Sequence, residues 1–111
     1  MLDIFIQGLE ILKKHTKNPE WADVHGAQHD LIVVSGIDVA SCTAEEINQL
    51  NFLRFLPGED GDLREVDILL ALEEAGIPIE EGQYFEWDDL SDAQWNVIKT
   101  LCHNDCFTYY S

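Results

Sequence analysis

From Glu59 to Asp92, thirteen acidic residues face one base, Arg64, and this local net charge of −12 constrains the chain more than any other feature. Self-repulsion of that size works against a compact state, so folding requires a core strong enough to outweigh it. The material is there: 46% of the 111 residues are apolar, with three Trp, three Tyr and five Phe. At this length one core is the natural expectation. Residues 1–111 are therefore read as a single α+β domain of about four helices and a small sheet of three or four short strands.

The hydropathy pattern supplies the elements. Residues 2–17 read as a helix with Leu2, Phe5, Leu9 and Leu12 on one face and Lys13, Lys14 and Lys17 near its carbonyl end. Leu31, Ile32, Val33 and Val34 form a β-branched run closed by Gly36. Thr43-Ala44-Glu45-Glu46 and Ser91-Asp92-Ala93-Gln94 are capping boxes, each opening an amphipathic helix. Asp62 followed by Glu65 predicts a further helix start, with Gly76 as its left-handed end. That third helix is apolar around most of its circumference, which predicts a place in the core or in an interface. Residues 52–56, 83–87 and 106–110 read as extended segments, and residues 57–61 as a loop. Aligning Thr43 with Ser91 matches several positions of the two helices, as an internal repeat or as shared amphipathic grammar would.

Candidate chemistry is sparse. His25, His29, Cys102 and Cys106 would form a zinc site only if the fold gathered them, giving a metal-binding module or enzyme as one reading. A calcium loop built on Gly61 would need Leu56 and Gly58 as ligands, and neither has a side-chain oxygen. His29-Asp30 is an acid–base pair without a nucleophile in a telling context, and no phosphate-binding glycine loop is present. The expectation is a protein that is not an enzyme and needs no cofactor.

The carboxylates remain as the functional feature. The whole chain carries −16, with 22 acids against 6 bases, which disfavours direct contact with nucleic acid or an anionic membrane. It favours a basic protein surface, such as a nuclease or a nucleic-acid-binding complex. Glu59, Asp60, Glu80, Glu81, Glu86, Asp88 and Asp89 are the expected partner-binding residues. In a strand, Glu86 and Asp88 would lie about 6.6 Å apart on one side, close to two duplex phosphate steps of about 3.4 Å each. An immunity or antitoxin protein that neutralises a basic toxin would use the same electrostatics. Three cysteines and the lack of a leader-like segment predict a reducing, cytoplasmic setting, and either a monomer or a dimer fits.

His29-Asp30-Leu31-Ile32-Val33-Val34 followed by Thr43-Ala44-Glu45-Glu46 and a Leu-rich helix resembles small acidic accessory proteins of phages and mobile elements. The resemblance covers about a third of the chain and departs after Asn51, where a long acidic insertion begins. It implies a context, that of DNA-mimic, anti-restriction or anti-CRISPR inhibitors, and carries over no functional residue.

Overall fold

The computed structural model describes residues 2–17, 23–26, 31–59 and 62–110, with the backbone alone for Leu2 and for residues 23–26. Four helices, α1 (Leu2–Lys13), α2 (Ala44–Phe52), α3 (Glu65–Glu74) and α4 (Asp92–Ile98), accompany an antiparallel sheet. Its strands are β1 (Asp23–Gly26), β2 (Leu31–Ser35), β3 (Phe55–Pro57) and β4 (Cys106–Tyr110), in the spatial order β1-β2-β4-β3. This is the small α+β architecture that the patterning predicts.

Pairing of Val34 with Phe107 and of Phe55 with Tyr109 sets the register. Because strand side chains alternate, Val34, Phe107, Tyr109 and Phe55 share one face, and all four are buried in the core with Leu12, Ile47, Leu50, Ile68, Leu72 and Ile98. α1 reaches this face through Gly8. A Cβ there would sit 2.0 Å from the Phe55 ring, so only glycine permits the approach. Phe5 then packs edge-on against Tyr109, with ring centroids 4.9 Å apart. On the other face Val33, Cys106 and Thr108 are also buried, and the Thr108 hydroxyl donates to the Gly58 carbonyl at 2.7 Å.

Both capping boxes form. Thr43 and Ser91 each accept from the backbone three residues on, while Glu46 and Gln94 accept from the cap amides. α3 ends as predicted: Gly76 takes φ +81° and donates to the Glu73 carbonyl, and Ile77 donates to the Leu72 carbonyl. These two bonds are the paired closure of a left-handed helix end.

Residues 52–56 are not extended throughout: Phe52 ends α2, and the strand is Phe55–Pro57, which takes Pro57 out of the expected loop. Three further expectations need correction. α1 stops at Lys13, not at Lys17, because Thr16 leaves the helix to bridge Ile37 and the Lys17 amide donates to the Gly36 carbonyl. Asp62 does not cap α3, whose N-cap is Arg64; its carboxylate accepts from the Glu59 amide and from the Asn104 side chain. Residues 83–87 are not a strand. They run irregularly into a 3₁₀ turn, Trp87–Asp89, so the second capped helix lacks the preceding strand that β2 provides ahead of the first.

Candidate functional site

Beyond the end of α3 the chain folds into a compact acidic ridge. The Gln83 amide donates to the Glu80 carbonyl across a turn in which Gly82 supplies φ +85°. Phe85 then turns inward and meets Trp87 edge-on, centroids 5.2 Å apart. The 3₁₀ turn that follows is fastened to α2: the Leu90 amide donates to the Asn48 side-chain oxygen at 2.8 Å, and the Asn48 amide donates back to the Leu90 carbonyl at 3.2 Å.

Residues of this segment line two grooves. The first, about 260 Å³, lies between α3 and the ridge. Glu65, Leu69 and Glu73 recur every four residues along one wall, and Ile79, Tyr84 and Phe85 stand on the opposite one. Tyr84 is 82% exposed, and the neighbouring Val66 and Leu70 of α3 are each 53% exposed. α3 thus buries only Ile68 and Leu72 fully and leaves an apolar stripe in solvent. The second groove, about 520 Å³, is formed by Gln7 and Ile11 of α1, by the last turn of α2 with its exposed Phe52, and by Asp88 of the ridge.

The expected partner-binding residues are placed as follows. Glu80, Glu81, Glu86, Asp88 and Asp89 all belong to the ridge and are exposed. Glu59 is also exposed but lies elsewhere, just past β3, next to the residue whose amide donates to the Cys106 carbonyl. Asp60 lies outside the described residues. The strand spacing expected of Glu86 and Asp88 does not occur, since Glu86 has extended backbone but Asp88 lies inside the 3₁₀ turn that follows it. Glu65 and Glu73 were missed by sequence reasoning, although their spacing of eight around Leu69 was a readable signal. Arg64, the one base of the stretch, forks onto Asp67 through Nε at 3.1 Å and Nη2 at 3.3 Å.

A second polar constellation was also missed. His15 joins Ser41, 2.8 Å from Nδ1, to Glu46, 2.9 Å from Nε2. The partners are 26 and 31 residues away, so no local pattern announces them. Burial opposes the ionised Glu46, but hydrogen bonds from His15 and Thr43 outweigh it and hold its pKa below the ordinary value. The set has the residue types of a nucleophile, base and orienter. However, the Ser41 hydroxyl donates its single proton to the Asp38 carbonyl at 2.8 Å and has none to give the ring. The nearby amides of Ser41 and Cys42 are likewise engaged, with the Asp38 and Val39 carbonyls. The constellation reads as a clasp between the end of α1 and the start of α2.

Among the described residues no cluster of three or more His, Cys, Asp and Glu is placed to hold a metal. His25 is described by backbone only, in register with Val33, and His29 lies outside the described residues. Cys42, Cys102 and Cys106 are free thiols. Burial pushes them up to about 12, about 12 and about 11, with nearby acidic groups adding to the shift. Burial thus favours their neutral thiol form. No described helix is long and apolar enough to cross a membrane. Comparison with protein-family models, with curated proteins and with solved structures finds no match.

Proposed function

We propose that this chain is a non-catalytic binding protein whose acidic ridge and α3 groove engage a basic protein surface, of the kind that otherwise holds nucleic acid. The observation that carries this reading is apolar exposure beside carboxylates: Leu69 and Tyr84 line one groove with Glu65 and Glu73, and Val66 and Leu70 of the same helix are exposed as well. Contiguous apolar area rimmed by polar groups is the anatomy of a protein interface. The surrounding carboxylates select a partner rich in Arg and Lys and speed its approach. Residues 83–87 form no strand and so offer no phosphate-like spacing along one. Mimicry here rests on charge density around an apolar anchor, as would suit an inhibitory accessory protein of the phage type.

The test is retention of partners by the immobilised chain at low salt. Basic nucleic-acid-binding proteins should be retained, released by salt or by added duplex DNA, and lost when Tyr84→Ala is combined with Leu70→Ser. The proposal fails if no basic protein is retained, or if the double variant retains the same set. A retained partner that duplex DNA does not displace overturns the occupation of a nucleic-acid groove.

A further inference from the structure

We propose that the groove between α1, α2 and the Trp87–Asp89 turn receives an arginine side chain of the basic partner, an inference that rests on the reading above. Its volume of about 520 Å³ falls within the usual range for ligand sites, about 300–1,000 Å³. Among the described residues that line it, Asp88 is the one that carries a charge. Gln49, Phe52 and Leu53 belong to the last turn and cap of α2, where the helix dipole is negative and cations are favoured.

The remaining lining residues select among cations. Phe52 is 82% exposed at the groove and offers a ring face on which a guanidinium can stack. Asp88 offers two oxygens that a planar fork can meet together, which an ammonium cannot do. Gln7 and Gln49 are exposed, and their amide oxygens can accept the remaining N–H groups. Asn48 does not contribute in this way, because both ends of its amide are committed to Leu90. That commitment fastens Leu90, two residues after Asp88, to α2 before any ligand arrives, and such preorganisation lowers the entropy lost on binding.

The experiment titrates N-acetyl-arginine amide into the isotope-labelled full chain and follows backbone amide signals by NMR. Its neutral citrulline counterpart serves as control. Saturable shifts centred on Gln7, Gln49, Phe52 and Asp88, absent with the citrulline compound, are expected. Asp88→Asn should weaken binding about tenfold and Phe52→Ala about threefold, while Glu74→Gln, at an exposed residue that lines neither groove, leaves it unchanged. Non-saturating shifts spread over the acidic surface overturn the proposal, as does an Asp88→Asn chain that keeps signal dispersion and binds the probe as tightly. If partner retention depends on Tyr84 but the probe does not bind, this inference falls and the wider reading stands. If the probe binds but no basic partner is retained, the wider reading falls, and with it the partner's arginine as the source.

Discussion

Asn48 is a single side chain on which two distant parts of the fold depend. It satisfies both backbone groups of Leu90 across 42 residues, and Leu90 is itself buried. Asn48→Ala leaves a donor and an acceptor in need of partners, and a loss of about 1–3 kcal/mol is expected in chemical denaturation. Gly8→Ala tests the opposite fault, excess volume: its methyl would overlap the Phe55 ring, for a similar loss of about 1–3 kcal/mol. Neither residue could be singled out from the sequence. Asn48 resembles any polar residue on an amphipathic helix, and the need for a bare backbone at Gly8 exists only once Phe55, 47 positions away, is folded beneath it. The thiols give a pH dependence. Their folded pKa values lie at about 11 to about 12, above an unfolded value of about 8.5. The stability they contribute is full below that unfolded value and is lost as pH rises towards the folded ones. Glu46 has the opposite sign: its lowered pKa gives stability that is present above the unfolded value of about 4.3 and lost as pH falls through the folded one. Glu46→Gln should therefore flatten the acid side of a stability–pH curve, while the alkaline decline remains.

At the scale of elements, local signals were legible where the backbone itself sets the requirement. A capping box needs only residues three apart, and a left-handed helix end needs only a glycine, so Thr43, Ser91 and Gly76 announced themselves. Thr43→Ala and Ser91→Ala should each lower stability by about 1 kcal/mol, measured by thermal or denaturant unfolding. The 83–87 segment misled because alternation of polar and apolar residues describes any chain with one side inward. Here Phe85 and Trp87 turn in to meet each other, and among the described residues no strand lies alongside to supply a ladder. α3 misled in another way. Its nearly continuous apolar surface fitted either core or interface, and only packing showed that Ile68 and Leu72 face inward while Val66 and Leu70 do not. The grooves themselves arise from pairs of elements, α1 with α2 and α3 with the ridge, and no single segment encodes either.

For the whole molecule, the −16 charge is a mechanical load on the native state. Raising ionic strength from about 0.01 M to about 0.1 M shortens the screening length from about 30 Å to about 10 Å, within the spacing of many of these carboxylates. The thermal unfolding midpoint should rise across that interval, and a flat or falling midpoint would show that the acids are too far apart to repel. The sheet has its own consequence for the chain during synthesis. β2 and β3 have no common neighbour except β4, which pairs with both. β4 begins roughly fifty residues after β3 ends, and translation proceeds at about 5–20 residues per second. For roughly 3–10 s of synthesis Phe55 has no Tyr109 to pair with, and for roughly 4–15 s Val34 has no Phe107. The nascent protein must pass that interval with open strand edges, held soluble by the same carboxylates that later strain the finished fold.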